Sequence, residues 1–137
     1  MNPESRLDYL KDVLQLPSLV FDEEGCCIVT FDGIPINFQT IDDRLVMTIY
    51  IAELPENTEA DFFAKLLAAN LYWKSTQGCT LAFDPESRSL VAQVIDDENK
   101  DIKKVLESLL EVTEGWRTYM DNPPIPHKRQ DIRGIRL

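Results

Sequence analysis

The spacing of apolar positions changes several times along the 137-residue chain, and each change marks a predicted element. Near the start, Leu7, Leu10 and Leu14 recur at helical spacing, with Val13 widening the stripe. Asn2 is a good N-cap, and Pro3 at the first helical position forfeits no bond the helix could have made. Pro17 closes this short amphipathic helix. A period of two follows, predicting strands over residues 26–31, 34–39 and 44–53. In the third, Leu45, Met47, Ile49 and Ile51 alternate with Val46, Thr48, Tyr50 and Ala52. One face is uniformly apolar and the other mixed, the pattern of a sheet covered on one side.

Three hydrophobic runs end in Phe-Asp and a turn former: "FDEEG" from Phe21, "FDG" from Phe31 and "FDPES" from Phe83. An Asp at a turn's first position accepts a bond from the backbone two residues on, so these aspartates read as turn residues and not as catalysts. Asp42-Asp43 makes a further turn. The helical period returns after Pro55, with Thr58 as N-cap and Asp61 three residues later, an approximate capping box. This middle helix is predicted to run through Trp73, ending in "LLAANLYW". After Asp61 its one charge is Lys65, while Phe62, Phe63, Leu66, Leu67 and Leu71 alternate with small alanines. A one-sided surface helix needs an apolar arc of about 100°. This one has more, which predicts a partner subunit over the excess; the alternative cover is the last helix of the same chain.

Strands over 79–83 and 89–95 come next, joined by the Asp-Pro-Glu-Ser turn. The last helix should start near Asp96-Asp97-Glu98, acids suited to the positive end of a helix dipole. Its stripe is Ile102, Val105, Leu106, Leu109, Val112, Thr113 and Trp116, and it should stop near Met120, because "DNPPIPHKRQ" cannot continue a helix. The order α-β-β-β-α-β-β-α, with no helix between most strands, fits an α+β fold on an antiparallel sheet. Residues 1–120 form the predicted domain, and 121–137 a Pro-rich basic tail.

Composition narrows the function. No apolar run approaches the ~20 residues of a membrane span, and "MNPESRLDYLKD" is no signal peptide, so a cytoplasmic protein away from membranes is expected. The three cysteines, two of them adjacent, show no Cys-x-x-Cys spacing and read as reduced structural thiols. The formal net charge is −10. Residues 121–137 carry four cations and two acids, which leaves the body at −12 and the tail at +2. Such a body repels phosphate backbones and excludes nucleic acid as its partner.

Chemistry is hard to find. The single histidine, His127, lies in the tail, and no Gly-x-Ser-x-Gly elbow is present. Cys26 and Cys79 have no histidine in the folded part to activate them. Acid clusters at 22–24, 42–43 and 96–98 lie at predicted turns or a helix start and lack the alternating spacing of a calcium loop. No catalytic residue, metal or cofactor is expected.

Five segments, in order, resemble the class I type III secretion chaperones, the Tir chaperone (CesT-like) family. They are "LPSLVFDEEGCC", Leu54-Pro55, "LLAANLYW", "GCTLAFD" and Trp116-Arg117. The resemblance runs from the first helix to Trp116 and leaves the tail unexplained. It implies a homodimer, with Leu67, Leu71, Tyr72, Trp73 and Leu81 at the subunit contact. It also implies a role in holding the unfolded N-terminal segment of a secreted effector in the bacterial cytosol, without ATP. Contacts with components of the secretion apparatus fit the same picture. An extended peptide could pair with a sheet edge while alternate side chains enter an apolar groove. The expected groove residues are Leu10, Val13 and Leu14 of the first helix, with Leu19, Phe21 and Ile28 beside them. Core burial is the competing reading for each, above all for Phe21 and Ile28. The competing function is an acidic adaptor or inhibitor that binds a folded basic partner.

Overall fold

The computed structural model describes residues 2–17 and 19–121. Helix α1 (Pro3–Leu14) begins as its sequence requires: the Ser5 N–H donates to Asn2 Oδ1 at 2.8 Å, with Pro3 at the first helical position. It ends at Gln15, which takes a left-handed conformation (φ 56°) so that the Leu16 N–H reaches Lys11 O at 3.0 Å. Strands β1 (Cys26–Phe31), β2 (Ile34–Ile41) and β3 (Arg44–Glu53) form a meander. Both connections are two-residue loops with positive φ throughout, at Asp32-Gly33 and at Asp42-Asp43. Two such residues twist the chain as antiparallel strands require.

Helix α2 (Ala60–Ala69) precedes a single 3₁₀ turn (Leu71–Trp73), then β4 (Thr80–Asp84), β5 (Ser89–Ile95) and α3 (Ile102–Asp121). The five strands lie in the order β1-β2-β3-β5-β4, every pair antiparallel. This is the α+β architecture and element order that the hydrophobic pattern predicts.

All three helices pack against one face of the sheet, with α3 across β3 and β5, α1 over β3 and α2 on β4. Leu45, Met47, Ile49 and Ile51 point into this layer together with Phe38, Leu90 and Ala92. A bulge between Tyr50 and Ala52 ends the regular register of β3. Arg117 of α3 caps it, donating from Nε to Ile51 O at 3.1 Å and from Nη2 to Tyr50 O at 2.6 Å. Trp116 beside it stands edge-on to Phe62 of α2, ring centres 6.0 Å apart.

Three expected boundaries differ. The middle helix stops at Ala69 and not at Trp73, because Asn70 turns its side chain to β4 and Tyr72 and Trp73 adopt left-handed backbone (φ 57° and 54°). Thr58 is not its cap. Glu59 holds that position without a side-chain bond, and the Thr58 hydroxyl donates to Pro55 O. The last helix starts at Ile102, six residues after Asp96. Arg6 claims Asp96, a turn claims Asp97 through the Asn99 N–H, and Asp101 caps the helix by accepting from the Lys103 N–H at 3.0 Å. The tail expectation for 121–137, with His127, lies outside the described residues apart from Asp121, the last residue of α3.

Candidate peptide-binding site

A sheet of five strands has two edges, here β1 and β4, whose outward main-chain groups need partners. On β1 the alternation is fixed by the Thr40 N–H, which donates to Gly25 O at 2.9 Å. In an antiparallel pair every second residue bonds across the ladder. Cys27, Val29 and Phe31 therefore face β2, while Cys26, Ile28 and Thr30 turn their N–H and C=O groups away from the sheet. Asp22 satisfies Cys26 on both sides: its Oδ1 accepts the Cys26 N–H at 2.9 Å, and its own N–H donates to Cys26 O at 2.8 Å. No described residue does the same for Ile28 or Thr30. Among the described residues they form a two-residue window of unpaired edge between the Asp22 plug and the Asp32-Gly33 turn.

An apolar groove lies on the helix side of this window. Val13, Leu14 and Gln15 of α1 form one wall, Phe31 the floor at the end of β1, and Leu106 and Leu110 of α3 the other wall, with Lys103 and Glu107 at the rim. A strand paired at Ile28 and Thr30 would point alternate side chains towards this groove and towards the outer face of the sheet.

The six expected groove residues divide. Val13 and Leu14 line the groove and keep part of their surface. Leu10 and Leu19 have no exposed surface and belong to the core, since α1 turns its Leu7–Leu10 side onto the sheet. Phe21 is half-buried at a separate hollow rimmed by Glu4, Asp22, Glu23, Glu24, Asp42 and Asp43. Ile28, for which core burial was the stronger rival, is 68% exposed on the outer face of the edge strand.

The second group of expected contacts is also split. Leu67 (74% exposed) and, beyond the half-buried Ala69 and Asn70, the run Leu71, Tyr72 (83%) and Trp73 are open to solvent, whereas Leu81 is buried within its own subunit. Both covers foreseen for the middle helix bear on this. The chain's own α3 takes one flank of α2, through Phe62 against Trp116 and Lys65 Nζ on the Tyr119 hydroxyl at 2.8 Å. Leu67, on the other flank, is left open.

Two polar side chains that organise the site escaped the sequence reading. Arg6 lies one helical turn before Leu10 on the apolar stripe, and a charge on a buried stripe is a signal that a buried partner exists. Asn70 is the one amide in "LLAANLYW", and its carboxamide faces β4. Two of the cysteines are disfavoured as thiolates: burial pushes the Cys79 thiol up to about 11 against the weaker opposing pull of Lys100. Burial and the charge of Asp22 raise Cys26, whose Sγ donates to Asn37 Oδ1 at 2.8 Å. Among the described residues no group of three or more His, Cys, Asp or Glu could hold a metal ion, and no helix is long and apolar enough to cross a membrane.

Comparison with known proteins adds a family and a fold. The model of the Tir chaperone protein (CesT) family matches residues 7–117. A search of curated proteins returns no match. Among solved structures, the HopA1–SchA chaperone–effector complex contains a chain 24% identical to this one at a TM-score of 0.66, covering 83% of this chain and 91% of that one. A chain of the ExsC–ExsE complex is 21% identical at 0.65, with coverage of 86% and 96%. A third, from the heterodimeric ExoU–SpcU complex of the type III secretion system of Pseudomonas aeruginosa, is 16% identical at 0.57, with coverage of 84% and 91%.

Proposed function

Since the chain belongs to the Tir chaperone (CesT) family, we propose that it binds the unfolded N-terminal segment of a secreted effector in the bacterial cytosol and keeps it soluble for type III export. The observation that carries this reading is the pairing of an open edge with a groove. Ile28 and Thr30 offer main-chain groups that no described residue pairs, next to a trough walled by Val13, Leu14, Leu106 and Leu110. Main-chain bonds along the edge give affinity without demanding a sequence, and the trough selects apolar side chains at alternate positions. Ordering a flexible segment costs conformational entropy, so the client must spread over more surface than this window alone. A homodimer, joined through Leu67, Leu71, Tyr72 and Trp73, supplies that surface twice. Binding needs no ATP, because folding of the client onto the edge is itself the favourable step. The chain in the HopA1–SchA complex, of the same fold, is found in a chaperone–effector complex, which supports the reading.

The test is recovery of the partner from native cytosol, followed by titration of its isolated, unstructured N-terminal segment. That segment should bind the wild-type protein and fail to bind Leu14→Asp. The competing reading is an acidic inhibitor of a folded basic protein. It is favoured by the hollow with six acidic side chains at the other end of β1. Binding of the folded partner alone, with the segment inert, would decide for it.

A further inference from the structure

The edge opposite β1 is closed at Cys79 and Leu81 by a built device, which leaves Phe83 as the outward position of β4 that no described residue meets. On β4, Leu81 points its main-chain groups outwards, and the Asn70 carboxamide meets both of them. The Leu81 N–H donates to Asn70 Oδ1 at 2.8 Å, and Asn70 Nδ2 donates to Leu81 O at 2.9 Å. One amide side chain thus imitates the peptide unit of a neighbouring strand. Two residues earlier, Thr76 does the same for Cys79, whose N–H donates to Thr76 O at 3.0 Å and whose O accepts from the Thr76 hydroxyl. Trp73 Nε1 donates to Thr80 Oγ1 at 3.1 Å, and the Ser75 hydroxyl donates to Ala69 O at 2.9 Å. Residues 70–76 therefore form a clasp along β4. It is held at a cost, because Tyr72 and Trp73 are consecutive bulky residues with positive φ. Such conformations persist where surrounding bonds over-determine them.

We propose that Asn70 is a specificity-determining residue: it seals β4 at Leu81, leaving Phe83 alone outward there, too short a run for a strand to add, so that each subunit offers a client strand one two-residue entry, at Ile28 and Thr30 of β1. The inference rests on strand addition as the mode of client binding and deepens it. Without the seal, two edges of one sheet would compete for the same extended chain, and β4 edges of separate molecules could pair with each other. With it, client strands and copies of the chaperone meet different parts of the subunit.

A labelled decapeptide of alternating valine and threonine, flanked by lysines, serves as the probe. Ile28→Pro removes one outward donor and no ladder bond, a position where an edge strand tolerates proline. It should weaken probe binding by roughly tenfold or more. Adding Asn70→Ala in the Ile28→Pro background should restore binding, and the Leu81 amide, protected in the wild type, should exchange freely. If the double variant stays folded and gains no binding while the Leu81 amide remains protected, the proposal is overturned. Asn70→Asp, which keeps the acceptor for the Leu81 N–H and loses the donor to Leu81 O, serves if the alanine variant does not fold, and it should restore binding in part; no recovery with it overturns the proposal equally. Wild-type protein that ignores the probe, combined with Asn70→Ala that self-associates through β4, would retain the seal and remove the client reading.

Discussion

Arg6 and Asp96 form a two-bond ion pair across the molecule, Nε to Oδ2 at 2.6 Å and Nη2 to Oδ1 at 3.1 Å, with each side chain 6% exposed. It fixes the start of α1, the groove wall that no strand hydrogen bond holds, to the end of β5. Asp96 bonding raises the Arg6 pKa further above its ordinary value, against the opposing effect of burial. The sign follows: a raised guanidinium loses its contribution when pH rises through its own pKa, far above any working range, so this arginine stays charged throughout. Arg6→Ala strands a buried carboxylate and should cost about 3–5 kcal/mol in denaturant unfolding. Arg6→Met with Asp96→Leu removes both charges and should cost much less. Equal losses in the two would mean that packing, and not the stranded charge, sets the penalty.

The Cys79 thiol gives a pH-dependent prediction. Its pKa is raised to about 11 from 9.0, chiefly by burial. A thiol whose pKa is higher in the folded state contributes its full stability below the unfolded value and loses it as pH rises through the folded one. Stability should therefore fall between about pH 9 and 11 by an amount that Cys79→Ser abolishes. At pH 8 a thiol reagent should modify Cys79 only as fast as the protein unfolds.

Gly25 joins the Asp22 plug to β2 and has φ +75°, a conformation side chains rarely adopt. A Cβ there would overlap Thr40 Oγ1. Gly25→Ala should destabilise by roughly 1–3 kcal/mol. It should also loosen the Asp22 bonds to Cys26, visible as faster exchange of the Cys26 amide. Unchanged stability would show that Thr40 swings aside and that the backbone tolerates the strain.

Much of this architecture was legible because strands and turns are written locally. The alternation in β3 and the Phe-Asp turns needed no tertiary information: Asp22 and Asp84 accept from the backbone two residues on, at Glu24 and Glu86. The errors arose where a distant partner wins over local propensity. Asp96 looks like a helix-start acid until Arg6, ninety residues away, takes it. "LLAANLYW" has helical composition to its end, yet Asn70 gains two main-chain partners on β4 by stopping the helix. Groove and core could not be separated along α1 because both lie on one apolar stripe; what decides is where each turn of the helix falls, with Leu10 buried over the core and Leu14, one turn on, at the trough.

One turn of helix separates these two leucines. Leu10→Ala empties a fully buried site and should cost about 2–5 kcal/mol. Leu14→Asp places a charge on a partly exposed groove wall and should leave the melting temperature within a few degrees while abolishing segment binding. Unfolding of the Leu14 variant would assign that residue to the core, and the groove would then be Val13, Leu106 and Leu110 alone.

The exposed Leu71–Trp73 stretch supports the last prediction. The clasp needs the Tyr72 backbone but not its side chain: the residue is 83% exposed in left-handed backbone, a conformation that costs roughly 1–2 kcal/mol for a residue with a Cβ. The cost is offset if a second copy buries the ring. Asparagine tolerates left-handed backbone well, so Tyr72→Asn should keep or raise the stability of the isolated subunit while deleting the contact. Leu67→Lys acts on the adjoining face without touching the core. The wild type should sediment at twice the 15.7 kDa chain mass at roughly 10 μM. The double variant should sediment at the chain mass, with an unfolding midpoint that no longer depends on protein concentration. A wild type that is already monomeric there, with a concentration-independent midpoint of its own, would leave Leu67 and Tyr72 to some other partner.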